Sequence, residues 1–190
     1  VASDEARRRI VEATAALHAE RGARATSHAM IAERAGVSTP TVYKYFPTVN
    51  HLIPACTGLV AGRAPVALDE TLFEGKASLA ERVRALASAM FRLHEYFAPW
   101  MRWTSADAAA FPELHDYLKR VQDHHVAIIR LALTPKGSNA PSETLVNFAR
   151  VLLDAPSWRT LAESTHSTDR AARLAADAIL SIARHLKEKP

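Results

Sequence analysis

A glycine set between two helix-cap signals constrains this chain more than any other feature. Residues 27–46 read SHAMIAERAGVSTPTVYKYF. Ser27 is a good N-cap, because its hydroxyl accepts a bond from a backbone N–H that the first helical turn leaves unpaired. Ile31, Ala32 and Ala35 then put small and apolar groups on one face. Gly36 stops the helix in a left-handed conformation that glycine adopts at no steric cost. Val37 plugs the turn. Ser38 caps a second helix, with Pro40 in its first turn, where a missing N–H is harmless. Val42 and Phe46, four apart, face inward, which leaves Thr39, Pro40, Thr41, Tyr43, Lys44 and Tyr45 on the outside.

A helix, a short glycine turn and a second, exposed helix make up a helix-turn-helix. The outward side chains suit a DNA duplex. Lys44 can bond guanine edges or neutralise a phosphate, and Tyr43 and Tyr45 can donate to phosphate oxygens. Thr39, Pro40 and Thr41 can pack on thymine methyls or bond base edges. An ordinary helical hairpin with a polar face satisfies the same pattern, since Gly-Val-Ser turns also occur in plain bundles.

The run IAERAGVSTPTVYKYFP also resembles the DNA-binding segment of the tetracycline-repressor (TetR) family. The resemblance is carried by Ile31-Ala32, Ala35-Gly36-Val37-Ser38, Thr41-Val42-Tyr43 and Tyr45-Phe46, with Ile10, Ala13, Leu17 and Gly22 fitting that family's first helix. It covers residues 6–53, and beyond them only length and helical character are similar. It implies an all-α chain: an N-terminal three-helix DNA-binding domain, residues 1–49, and a C-terminal helical ligand-binding and dimerisation domain, residues 50–190. The DNA-binding candidates are then Ser27, His28, Thr39, Pro40, Thr41, Tyr43, Lys44 and Tyr45. Two positions depart from the family pattern. Val49 stands where the family often has a phosphate-holding lysine, for which Asn50 or His51 is a weaker substitute. Ala29 cannot donate a bond, and beside it His28 either reaches a phosphate or is a solvated first-turn residue.

The whole chain supports a helical reading. Its 190 residues are 48% hydrophobic and include only six glycines, enough for one compact domain or two small ones. No apolar run approaches the ~18 residues of a membrane span. The start, VASDEARRR, lacks the apolar stretch of a secretory signal. Net charge is +4, with an isoelectric point near 9.5, which leans toward a polyanionic partner. Residues 1–50 hold seven basic groups (Arg7, Arg8, Arg9, Arg21, Arg24, Arg34, Lys44) against five acidic ones (Asp4, Glu5, Glu12, Glu20, Glu33), an excess of only two. Phosphate attraction must therefore come from placement. One cysteine, Cys56, excludes an internal disulfide and fits a buried thiol in a reducing cytoplasm.

Apolar residues at spacings of three and four predict helices over residues 4–21, 50–64, 78–98, 112–133, 143–154 and a last one along Ala171 to Leu186, with a short aromatic-rich helix and turn over residues 100–111. Ser78 and Glu81 form a capping box at the start of the third of these. Residues 65–76 and 134–142 read as loops, Pro99 as a helix breaker, and Pro156 as an interruption before residues 158–165. In the helix over 143–154, Leu145, Phe148, Ala149 and Leu152 are expected to face inward. The middle of the chain offers the apolar lining and few polar anchors of a small-molecule site: Met90, Phe91, His94, Phe97, Trp100, Trp103, Phe111, Tyr117, His125 and Phe148. For each, a place in the core is the alternative.

Helix-turn-helix proteins usually bind as two-fold dimers with recognition helices roughly 34–36 Å apart. Leu152, Leu174, Ala175, Ala178, Ile179 and Ile182 are the expected dimer contacts, in two helices that pair with their symmetry copies. The expected partners are operator DNA, a small apolar or aromatic effector and a second copy of the chain, without membrane, metal or cofactor. The expected mechanism is repression. The effector would favour a body conformation in which residues 50–64 displace the head from its operator.

A protein-interaction module without DNA binding, or a small helical enzyme, are the competing readings. For the enzyme the residues offer little: His124 and His125 diverge by ~100° on a helix. His185 and Glu188 have ligand spacing but are only two, and no metalloprotease, phosphate-loop or nucleophile-elbow motif is present.

Overall fold

The computed structural model describes residues 2–188, with side chains for residues 4–186. Ten α-helices follow one another, and among the described residues there is no strand. The all-α expectation holds. The chain divides into two compact units, residues 1–64 with 97–120 and residues 65–96 with 121–190. Helices α5 (Leu79–Met101) and α7 (Pro112–Leu133) contribute residues to both.

The first unit is organised on α1 (Ala2–Arg21). Ile10, Val11, Ala13 and Leu17 are buried along it at helical spacing. Against it pack α2 (His28–Ala35), through Ile31, Ala32 and Ala35, and α4 (Val49–Gly62), through Leu52, Ile53, Cys56 and Val60. The short α3 (Thr39–Tyr45) packs on α2 and buries Val42. Each fully buried aliphatic side chain here stabilises the unit by about 1.5–3 kcal/mol. The last turn of α5 and α6 (Thr104–Ala110) complete the unit.

The second unit takes most of α5, the later part of α7, α8 (Glu143–Leu152), α9 (Ala155–Thr165) and α10 (Thr168–Glu188). The capping box forms as expected: Ser78 N donates to Glu81 Oε2 at 2.9 Å and Glu81 N to Ser78 Oγ at 3.2 Å. Arg82 lies 4.4 Å over the Phe73 ring and donates to the Leu131 and Ala132 carbonyls. It thereby satisfies the end of α7 and places a cation at its negative pole.

Four local expectations are corrected. Pro99 does not break its helix. Only its bond to the residue 95 carbonyl is lost, two residues before α5 ends, and Trp100 Nε1 donates to Ala15 O at 2.9 Å to hold the last turn on α1. Pro156 starts a helix instead of interrupting one, because Asp154 caps α9 by accepting from Ser157 N at 2.8 Å. Residues 70–73, expected as loop, form a 3-10 turn that buries Phe73. On α8 the inward stripe is Leu145, Val146 and Ala149, with Leu153 just after the helix, so Phe148 is 48% exposed and Leu152 half-buried.

Three histidines are held neutral inside the fold. Burial pushes His18 from 6.5 to about 4, against the pull of Asp107. Burial likewise takes His125 to about 4, with His94 and His124 adding to it. It lowers His94 too, although His94 bonds the Leu153 carbonyl at 2.8 Å. Cys56 is pushed up to about 12 by burial and stays a thiol. Its S–H points at Ile53 O, so its sulfur accepts from His18 Nδ1–H at 3.4 Å, which leaves His18 Nε2 as a buried acceptor without a donor.

Between pH 6.5 and 4 the unfolded chain therefore binds more protons than the folded one at His18 and His125. Stability is full above that window and falls through it as pH falls. Urea midpoints measured from pH 7.5 to 4.5 should begin to drop near pH 6.5, above the range in which carboxylates titrate. A flat profile down to pH 5 would contradict this account of the histidines.

Candidate nucleic-acid interface

Both caps read from the sequence are in place. Ser27 Oγ accepts from Met30 N at 3.3 Å, and Ser38 Oγ from Thr41 N at 3.3 Å. Gly36 sits at φ 63° and ψ 40°, and Val37 N returns to Ala32 O at 3.0 Å, closing α2 in a left-handed cap. Val42 is fully buried and Phe46 nearly so, with the Arg7 guanidinium 5.4 Å over the Phe46 ring. These contacts fix the inner face of α3.

The outer face is open. Pro40, Tyr43 and Lys44 are exposed, and Thr39, Thr41 and Tyr45 are half-buried. Thr41 Oγ1 shares a 2.7 Å hydrogen bond with Ser38 Oγ, so its hydroxyl is partly committed within the turn. Lys44 Nζ lies 5.9 Å from the Tyr45 ring centroid. One helix thus leaves a cation, two phenols and two threonines at least partly uncovered, donors of the kind that reach phosphates and base edges.

His28 departs from its expected place. It is neither a phosphate-reaching nor a solvated residue, because its ring is buried. Its Nε2–H donates to Phe46 O at 2.8 Å, and the ring stacks on Tyr43 at 4.3 Å and 3°. At the start of α4, Thr48 makes no side-chain cap bond. Its hydroxyl instead pairs with His51 Nδ1 at 2.8 Å, beside Val49 and exposed Asn50.

Sequence reasoning missed a cluster behind the head. Asp107 of α6 is buried, and its carboxylate accepts from Ala23 N at 2.7 Å and Arg24 N at 3.0 Å. Trp103 Nε1 donates to Ala19 O at 3.1 Å, as does the Arg102 guanidinium at 2.8 Å. The available signal was a lone acid in the alanine-rich run TSADAAA. An acid at the centre of so small and apolar a helix needs donors from elsewhere.

The ten expected effector contacts fall in two groups. Phe97, Trp100, Trp103, Phe111 and Tyr117 belong to the first unit, and Met90, Phe91, His94, His125 and Phe148 to the second. Met90, Phe91 and His94 are buried in the second unit's core, where His94 and Trp158 are 6.1 Å apart. An open groove of about 580 Å³ in that unit is lined by Pro65, Arg92, Glu95, Tyr96, Ser167, Thr168 and Asp169, none of them an expected contact. Of the expected dimer residues, Ala175 and Ile179 are buried in their own unit, Leu174 is exposed, and Leu152, Ala178 and Ile182 are half-buried. No group of three or more potential metal ligands occurs among the described residues, and the Glu188 side chain lies outside them. No helix of the described residues is long and apolar enough to cross a membrane.

Residues 10–56 match the model of the bacterial regulatory proteins of the tetR family. The transcriptional repressor KstR of Mycolicibacterium smegmatis is 30% identical over 157 residues, covering 80% of this chain and 74% of the relative. KstR of Rhodococcus jostii is 29% identical over 189 residues, covering 91% and 81%. Among solved structures, a protein from Rhodococcus sp. assigned to the TetR-family transcriptional regulators superposes with a TM-score of 0.63 at 26% identity, over 95% of this chain and 99% of its own. RolR, solved with resorcinol, is similar in fold, with a TM-score of 0.55 at 21% identity over 99% of this chain and 95% of its own.

Two glycines lie at left-handed backbone positions of the head, and their substitution separates strain from crowding. Gly36→Ala meets nothing nearer than Arg9 at 3.7 Å, so it should cost only the left-handed backbone strain, about 1–2 kcal/mol. Gly22, at φ 80°, would bring a Cβ to 2.9 Å from Asp107 Oδ2 and 3.0 Å from Trp103 Cβ. Gly22→Ala should therefore cost a further ~1–3 kcal/mol from overpacking. Equal urea midpoints for the two variants would contradict the close approach of α6.

Proposed function

This chain belongs to the TetR family of bacterial regulatory proteins, and from that premise we propose that it represses transcription from an operator and is released by a small apolar or aromatic molecule. The observation that carries the reading is α3: Val42 is buried beneath it, while Tyr43 and Lys44 are exposed. The KstR relatives, which are transcriptional repressors, support the direction of the output. Residues 1–49 read DNA, with Ser27 setting α2 and Thr39, Pro40, Thr41, Tyr43, Lys44 and Tyr45 facing the duplex. Residues 50–190 take the effector and the second copy. The protein works in the cytoplasm, where its DNA is, and performs no catalysis.

The effector's apolar body would lie against aromatic side chains of the mid-chain helices, and its polar groups against the few polar side chains among them. RolR, which shares the fold, is a protein that holds a small aromatic diol. Release follows if the effector binds one conformation of the body better than another, by no more than that difference in affinity. Helix α4 remains the proposed lever: it packs on α1 through buried Leu52, Ile53 and Cys56, so a tilt of α4 reaches the whole head.

A second copy is favoured by the outer faces of α8 and α10. Phe148, Val151 and Leu174 are 48%, 60% and 50% exposed, large apolar side chains that a second copy would cover. Phe148 fits this surface better than an effector site.

Selection of duplexes from a random pool, with and without phenolic and fatty-acyl candidate effectors, tests the central reading; recovery of no preferred sequence would refute it. With a selected operator in hand, Tyr43→Phe should weaken all duplexes alike, because only a phosphate bond is lost. Lys44→Ala should instead change the order of preferred sequences. An equal relative loss on every sequence would remove Lys44 from base reading. Leu174→Glu should shift sedimentation from dimer to monomer and abolish binding to a two-half-site operator. A Leu174→Glu chain that stays dimeric would move the interface elsewhere.

A further inference from the structure

The buried polar side chains of the described residues are Thr14, His18, Thr26, His28, His94 and Asp107. Three of them, Asp107, Thr26 and His28, lie along one path through the first unit. Asp107 accepts from Ala23 N and Arg24 N at 2.7 and 3.0 Å. The same short loop is closed by Thr26, whose Oγ1 donates to Gly22 O at 2.7 Å and whose N donates to Ala23 O at 3.2 Å. Ser27, the next residue, caps α2, and His28 is its first residue. His28 Nε2–H then donates to Phe46 O, and its ring lies flat on Tyr43, so the path ends on α3.

We propose that Asp107 and His28 are positioning residues for DNA reading: together with Thr26 they form a relay that sets the pose of α3 from α6, without touching DNA. This rests on α3 being the helix that meets the duplex. The burial of the relay is the reason to assign it that role. Apolar groups of the same shape can be nearly neutral for stability at such sites, whereas directional bonds select one geometry. The relay is also anchored at a close approach of the loop to α6. A Cβ at Gly22 would come within 2.9 Å of Asp107 Oδ2 and 3.0 Å of Trp103 Cβ, so the loop that supplies the two amides lies hard against α6. At the far end, Tyr43 is one of the exposed side chains of α3, and the plane of its ring is set by His28.

The readout is discrimination, not overall affinity. The full chain is used with a duplex recovered by selection on the wild type and a scrambled duplex of equal length, at one salt concentration. Asp107→Asn, which replaces one acceptor by a donor, and His28→Phe, which keeps the stack but loses the bond to Phe46 O, should each lower the selected-to-scrambled affinity ratio by roughly tenfold. Affinity for the scrambled duplex should change by less than about twofold, because phosphate contacts dominate it. The double variant should lose far less than the product of the two single losses, as links of one path do. Partial unfolding would lower both affinities together and leave the ratio in place.

Thr26 supplies the comparison if either variant fails to fold. Thr26→Ser keeps the donor and should keep the ratio, while Thr26→Val removes it and should lower the ratio. An unchanged ratio in folded variants, or losses that simply multiply, overturns the relay. A wild-type chain that selects no duplex overturns instead the DNA-binding reading beneath it.

Discussion

A buried carboxylate costs several kcal/mol unless donors meet its oxygens, and the head of this protein depends on how Asp107 meets that demand. Its donors are two amides just past the end of α1, outside that helix's own hydrogen-bond ladder. The negative charge lies close to the negative pole of α1, an unfavourable placement on its own. Arg102 offsets it by donating to Ala19 O, and the indoles of Trp100 and Trp103 donate to Ala15 and Ala19. Residues 97–120 group with residues 1–64 because these bonds, separated by more than eighty positions in sequence, tie them together.

What this anchoring supports is a helix that could not stand alone. With seven residues, α3 is well below the ~12–15 at which isolated helices become even marginal in water. Its stability comes from Ser38 at one end, Val42 beneath, and Phe46 at the other end. Phe46 is itself held through its carbonyl by His28 and across its ring by Arg7. A helix stabilised this way takes its orientation from its neighbours. Small changes in α2 or in the loop before it must therefore appear as changes in where Lys44 and Tyr43 point.

The sequence was most legible where a local rule decides the outcome. Ser27, Gly36, Ser38 and the Ser78–Glu81 box act within four residues of themselves, and each forms as read. The bounds of α7 were legible for the same reason, with a proline at its start and a proline–glycine loop after its end. Local rules failed where distant partners outweigh them. Pro99 is carried through because Trp100 is held by α1, and Pro156 because Asp154 caps the new helix. His28 looked like a polar first-turn residue, since its acceptor lies eighteen residues on. Asp107 gave only the oddity of an acid among alanines.

The same limit explains Phe148 and Leu174. A 3.6-residue period identifies an apolar stripe but not which edge of it is covered. On α10 the inward edge is filled by Ala171, Ala172, Ala175, Ala176 and Ala183, small groups that let the helix sit close to its neighbours, together with the larger Ile179. Leu174 lies off that edge and is exposed, as Phe148 and Val151 are on α8. Outward apolar side chains on two helices that pack together would, if buried against a second copy, recover the hydrophobic free energy that exposure forfeits. The close packing inside the unit and the proposed contact outside it thus divide α10 between two faces, with alanines on the inner edge and Leu174 on the outer one.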